Sequence, residues 1–264
     1  MSAPLAVGNG RVKEARKLSR RSVRTERRLF VADGPKAVEG ALGVEGCVVE
    51  VFATPAAAEE HADLLGAAAV TLVDDRALAS LSDAVNPAGL VAVCRHLDAP
   101  LEHVLNVSAR LLAICADVRD PGNAGTIIRT ADAVGAAGVV LTGHSVDAYN
   151  PKTIRASVGS LFHLPIAVVP DTAEAVRAVR ATGTRVLAAD GAGEVDLFEA
   201  DLSRPTAWLF GNEAWGLPAE LADLADQRVA IPIHGRAESL NLSTAAAVCL
   251  YASARGQRSS GTPS

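Results

Sequence analysis

The chain has 264 residues, is 49% hydrophobic and 21% charged, and carries a net charge of −5. A chain of this length makes one large domain or two modest ones with a buried core, and its hydrophobic share excludes a mostly disordered protein. No apolar run reaches the roughly 18 residues of a membrane span, so no span is expected, and no apolar stretch follows a basic one at the N-terminus, so no secretory leader is expected. Cys47, Cys94, Cys115 and Cys249 stand far apart with no C-x-x-C pair. That spacing argues against a zinc knuckle or a disulfide framework and fits a reducing cytoplasm.

Charge is unevenly spread. Residues 11–28 hold nine basic side chains (Arg11, Lys13, Arg16, Lys17, Arg20, Arg21, Arg24, Arg27, Arg28) and two acids, a net +7 that leaves −12 on the rest. Two readings stay open from charge alone. One is a face that meets a polyanion, and the other is a solvated helix laced with Glu–Arg pairs.

In chain order, residues 9–28 read as a helix, from Val12, Ala15, Leu18 and Val23. A strand at 29–32 leads into Asp33-Gly34-Pro35 and a helix over 35–42. Runs at 47–53, 69–73 and 89–95 read as strands, with helices at 55–68 and 74–82 between them. Residues 96–109 lack strong periodicity and read as a linker or linking helix. A second alternation then predicts strands at 110–115, 138–142, 165–169, 185–189, 206–210 and 228–232, and helices at 123–135, 151–158, 171–182 and 241–255. The polar tail over 255–264 is expected to fray. Two α/β domains result, at 1–98 and 110–257, with a linker at 99–109 and a flexible tail at 258–264.

Three segments carry candidate chemistry. In DVRDPGNAGTIIRTADAVG, 117–135, a tight turn over Pro121–Gly125 opens an amphipathic helix bearing Arg129. A helix N-terminus with a planar guanidinium suits phosphate, although a plain Gly-rich turn reads equally well. In WLFGNEAWGLP, 208–218, a turn with Glu213 follows a strand, where α/β sheets bind ligands. In IPIHGRAESLNLSTAAA, 231–247, Ser239, Asn241 or Ser243 can cap a helix rich in small residues. Asp190-Gly191 is either a ribose-holding acid or a simple turn. The six histidines do not cluster at metal-ligand spacing. The dinucleotide fingerprint G-x-G-x-x-G is missing, which disfavours an oxidoreductase. With 3% aromatics, an aromatic platform is not expected as the main RNA-binding device.

Taken together, DPGNAGTIIRTADAVG, LFGNEAWGLP and IPIHGRAESLNLSTAAA resemble the three signature motifs of the SpoU/TrmH family of RNA ribose 2′-O-methyltransferases, within the SPOUT class. The N-terminal half is similar to the L30e-like substrate-binding domain of many members, with Ala32-Asp33-Gly34 where relatives often have V-E-G. Within the motifs, Ala214 stands where glycine is frequent and Leu242 where valine is frequent. The resemblance implies a parallel-sheet catalytic domain with a trefoil knot, S-adenosylmethionine as cofactor and a homodimer. It assigns catalytic roles to Asn123, Arg129, Glu213, Ser239 and Asn241. It assigns cofactor contacts to Phe210, Gly211, Asn212, Ile231 and Leu240. Arg129 then anchors the target's phosphate, oriented by Glu213 and Asn123. The basic residues Arg11, Lys13, Arg16, Lys17, Arg20, Arg21, Arg24 and Arg27 become the RNA footprint. The expected substrate is ribosomal RNA, with 23S rRNA favoured. Transfer RNA, or a non-catalytic role in ribosome assembly, is the alternative.

Overall fold

A computed structural model describes residues 3–66, 68–105 and 109–259. The elements run α1 (Gly10–Arg16), α2 (Arg21–Arg27), β1 (Leu29–Asp33), α3 (Pro35–Leu42), β2 (Val48–Ala53), α4 (Pro55–Glu60), α5 (Ala62–Leu65), β3 (Val70–Leu72), α6 (Asp75–Leu81) and β4 (Leu90–Arg95). They continue with α7 (Leu101–Val104), β5 (Leu111–Ala116), α8 (Pro121–Val134), β6 (Gly138–Thr142), α9 (Pro151–Ser157), β7 (Ile166–Val169), α10 (Thr172–Ala181) and β8 (Arg185–Ala189). The last are β9 (Val195–Asp196), β10 (Thr206–Phe210), α11 (Ala219–Ala222), β11 (Gln227–Ala230) and α12 (Leu242–Ser259). Among the described residues no helix is long and apolar enough to cross a membrane.

The chain forms two units. One comprises the chain up to Leu97 together with Asp147–His163, and the other comprises Asp98–Val146 and the chain from Leu164 on. The first unit holds a mixed sheet in the order β1-β4-β2-β3, with β4 antiparallel to both neighbours and β2 parallel to β3. Val12, Leu18, Phe52, Leu78 and Val91 form part of its core. The second unit holds a wholly parallel sheet in the order β7-β6-β5-β10-β8-β11-β9. Its central strands β5, β6 and β10 are buried along their whole length. That burial is why LLAICA, GVVLT and TAWLF read as unbroken small and apolar runs rather than alternating ones.

Several sequence expectations need correction. The helix over 9–28 is broken, because Arg20 is extended at φ −90°, ψ 128° between a 3-10 turn and α2. The Arg24 guanidinium donates to the Leu18 and Ser19 carbonyls at 2.9 and 2.8 Å, satisfying the end of that turn and stopping the helix there. Arg24 is 3% exposed, so its place in the expected RNA footprint is withdrawn. The helix over 55–68 divides at His61 into α4 and α5. Pro121–Gly125 is not a turn preceding a helix but its first turn, with Asp120 as cap and Pro121 at the first position.

The segment 147–163, inside the span expected for the second domain, groups with the first unit. Asp147 pairs with Arg24, Tyr149 Oη accepts from the Leu97 amide at 2.6 Å, and the Tyr149 ring lies 4.6 Å from Phe30. The tail helix continues to Ser259 instead of fraying at 255. Gln257 Nε2 donates to the Arg110 and Arg204 carbonyls at 2.7 and 3.0 Å, tying it to strand starts in the same unit. The end of the expected tail, 260–264, lies outside the described residues.

Candidate active site

The site forms at the carboxyl edge of the parallel sheet. Registry aligns Phe210 with Cys115 and Val229 with Ala189, so β5, β8, β10 and β11 end close to one level. The loops that leave them are where an open α/β sheet presents ligand-binding groups. A cavity of about 590 Å³ lies there, within the usual range for small-molecule sites. Its wall takes in Ala189–Gly191, Phe210–Ala214 with Gly216, Val229–Ile233, and Glu238–Leu240 with Leu242 and Ala245. The cavity therefore gathers Phe210, Gly211, Asn212, Glu213, Ile231, Ser239 and Leu240, all singled out from sequence. It also takes in Asp190.

Gly211 is required by crowding. A Cβ there would lie 2.4 Å from the Gly216 carbonyl carbon and 2.6 Å from the Leu217 nitrogen. The loop is closed by reciprocal backbone bonds between Asn212 and Gly216, both 2.9 Å. Asn212 fixes it further: Nδ2 donates to the Asp117 carbonyl at 2.7 Å, and Oδ1 accepts from the Ala214 amide at 2.8 Å.

Beside the cavity, three motif residues join in one hydrogen-bonded chain. Asn241 Nδ2 donates to Asn123 Oδ1 at 3.1 Å, and Asn123 Nδ2 donates to Glu213 Oε1 at 3.2 Å. The Glu213 carboxylate also accepts from the Arg119 and Asp120 amides at 3.2 and 3.0 Å. It thereby takes up amides at the entry to α8, where negative charge is favoured. The Asp120 side chain caps Asn123 N at 2.8 Å, a role missed from sequence although D-x-x-N before an apolar helix is a cap pattern. Of the three candidate caps for α12, Asn241 takes the role, accepting from the Ser243 and Thr244 amides. Beneath this chain the Cys115 thiol is pushed up to about 12, mainly by burial and secondarily by the Glu213 charge.

Arg129 is not part of this chain. It is exposed on α8, with no hydrogen bond or ion pair among the described residues. Glu213 and Asn123 bond each other and backbone amides, so the expected orientation of Arg129 by these two is corrected. The reason is helical geometry, since six residues at about 100° each place Arg129 roughly 120° around α8 from Asn123. In the other unit, Lys13, Arg16, Arg20 and Arg21 are exposed with no partner among the described residues, while Arg11 pairs with Glu50, and Lys17 and Arg27 with Glu14.

The donor set fits S-adenosylmethionine. The residues lining the cavity include the acids Asp190, Glu213 and Glu238 and no Lys, Arg or His, which suits a cationic ligand. Ile231, Leu240 and Leu242 offer apolar surface to a base, and a Cβ at Gly191 would meet nothing within 4 Å.

Fold and site together define an α/β domain with a cofactor-sized, acid-lined cavity at the carboxyl edge of a parallel sheet. The chain belongs to the SpoU rRNA Methylase family, which residues 110–251 match. Residues 9–92 match the MRM3-like substrate binding domain. The trefoil knot is inferred from that membership.

The chain is 34% identical over 243 residues to the 23S rRNA (guanosine(2553)-2′-O)-methyltransferase RlmP of Bacillus subtilis (strain 168), covering 92% of this chain and 95% of that one. It is 47% identical over 146 residues to the 23S rRNA (uridine(2479)-2′-O)-methyltransferase of Streptomyces viridochromogenes, a match spanning 53% of this chain and half of that relative. The SpoU methyltransferase AviRb from Streptomyces viridochromogenes, solved in complex with AdoMet, superposes with a TM-score of 0.85 at 33% identity, over 96% of this chain and all of that one.

Proposed function

We propose that this chain transfers the methyl group of S-adenosylmethionine to a ribose 2′-hydroxyl of 23S rRNA, acting in the cytoplasm as a homodimer. The observation that carries this reading is the Asn241–Asn123–Glu213 chain beside the acid-lined cavity. The Bacillus and Streptomyces relatives, both named as 23S rRNA 2′-O-methyltransferases, support the choice of RNA.

Bound S-adenosylmethionine supplies a methyl group already activated on a sulfonium, so the protein's work is alignment and desolvation. The loops around Gly211, Ile231 and Leu240 hold the cofactor through backbone and apolar surface, with Phe210 and Asn212 behind them. Asn123, fixed from both sides by Asn241 and Glu213, presents a rigid amide edge to the substrate. Ser239 adds a hydroxyl on the cavity wall. Arg129, exposed and without an ion pair among the described residues, anchors a phosphate of the target nucleotide and stabilises charge there. It is not the base, because an arginine keeps its proton in proteins. Lys13, Arg16, Arg20 and Arg21 extend the phosphate contacts in the first unit. For the homodimer, Tyr251 on α12 is 56% exposed beside Ala254 and offers surface to a second copy.

Methyl-labelled S-adenosylmethionine incubated with unmodified 23S rRNA, ribosomal precursors or tRNA tests the reading, with Arg129→Ala as control. Arginine-dependent label in 23S rRNA or its precursor supports it. Label confined to tRNA replaces the substrate. No label in any of them replaces the enzyme with an assembly factor.

A further inference from the structure

We propose that Trp215, braced by Arg119, is a stacking platform for an unpaired nucleobase of the RNA substrate beside the ribose that is methylated. The inference rests on the reading of RNA as substrate and adds how the target is held. Trp215 stands at the tip of the loop closed by Asn212 and Gly216, and it is 55% exposed. The Arg119 guanidinium lies over its ring, 5.1 Å from the centroid. That contact braces the indole while more than half of the residue stays exposed.

The same Arg119 donates its backbone N–H to Glu213 Oε2 at 3.2 Å, and Glu213 in turn holds Asn123. The indole is therefore tied, through two residues, to the hydrogen-bonded chain that fixes the catalytic amide. The two tryptophans differ in burial: Trp208 lies in the core and donates Nε1–H to Ser253 at 2.8 Å, whereas Trp215 is more than half exposed. A large, rigid, half-exposed ring beside a guanidinium matches what unpaired bases recognise: a π face with a cation next to a phosphate-bearing strand. Ordered loop hydrogen bonds mean the platform is set before the substrate arrives. The low aromatic content of the chain does not conflict with this, because one platform beside the reacting ribose positions a base and need not supply bulk affinity.

Two readouts test it on the full chain. In steady-state methylation of unmodified 23S rRNA, Trp215→Ala should raise KM for RNA about tenfold, the size of one lost base stack. S-adenosylmethionine affinity should stay unchanged, and Trp215→Phe should restore most of the loss. Independently of turnover, Trp215 emission, isolated in a Trp208→Phe background, should be quenched by short uridine or adenosine oligoribonucleotides. The abasic ribose-phosphate counterpart should leave it unquenched. Unchanged KM in Trp215→Ala, or emission indifferent to base-bearing oligonucleotides, would overturn the proposal. So would emission shielded from iodide without RNA and increasingly so with protein concentration, which would assign the ring to a second copy. If no RNA is methylated while the bases still quench, the functional reading fails and the stacking surface stands.

Discussion

Arg24 donates Nε–H and Nη2–H to the same carboxylate oxygen of Asp147, at 2.9 and 2.7 Å, across 123 residues of sequence. Both side chains are largely buried, at 3% and 12% exposure. The pair ties the start of the chain to the segment that bears α9, and it removes from the basic segment an arginine that looked free for phosphate. A buried pair of this kind is costly to break from one side, because the remaining charge is left unmatched. Arg24→Met should therefore lower unfolding free energy by about 3 kcal/mol, read from urea denaturation, with Asp147→Asn similar. A loss below about 1 kcal/mol would mean water reaches the pair and the fold does not depend on it.

The basic footprint is the converse case. Replacing Lys13, Arg16, Arg20 and Arg21 together by glutamine removes four exposed cations that have no partner among the described residues. Stability should hold, while affinity for 23S rRNA falls and the slope of log affinity against log salt flattens by about 0.7–0.9 per lost phosphate contact. An unchanged slope in a filter-binding series would place the footprint elsewhere.

The Asn241–Asn123–Glu213 chain predicts coupled losses. Asn123→Ala and Glu213→Gln should each cut turnover by roughly a hundredfold, the scale of losing a positioned group. The double variant should lose little more, because both disable one unit. Multiplicative losses would show that the two act independently. Arg129→Lys, which keeps charge but loses the planar fork, should depress turnover strongly with near-normal S-adenosylmethionine binding.

Gly211→Ala addresses cofactor binding alone. A methyl group cannot occupy a position 2.4 Å from backbone, so the 211–216 loop must move. Calorimetry should find S-adenosylmethionine affinity reduced at least about tenfold, with the first unit's RNA binding intact. Retained cofactor affinity would mean the loop does not shape the cavity.

Alkaline stability has a calculable sign. Cys115 and Cys249 have thiols raised from the ordinary 9.0 to about 12 in the folded chain, in each case chiefly by burial. The unfolded chain releases these protons first, so the stabilisation is complete below pH 9 and declines as pH rises through 9 toward 12. The decline approaches about 1.4 kcal/mol per pH unit per thiol. Urea titrations from about pH 8 to 11 should trace it, and Cys115→Ala should flatten it. Both thiols should resist alkylation in the folded chain and react on unfolding.

What the sequence determined alone was local and periodic. Unbroken apolar runs specified the parallel strands β5, β6 and β10, and S-L-N-L-S marked the start of α12, because caps and buried strands depend on neighbours a few residues away. The order of the three motifs sufficed to place the family. Tertiary structure decided what depends on distant partners. That Arg24 is buried follows from Asp147, and the interruption of the first helix follows from Arg24 in turn. Gln257 extends α12 by reaching carbonyls in two other segments. Asn123, Glu213 and Asn241 stand apart in sequence and meet only because parallel strands end at one level. Arg129 lies about a third of a turn around α8 from Asn123 because the helix turns about 100° per residue, a relation the motif spelling does not express.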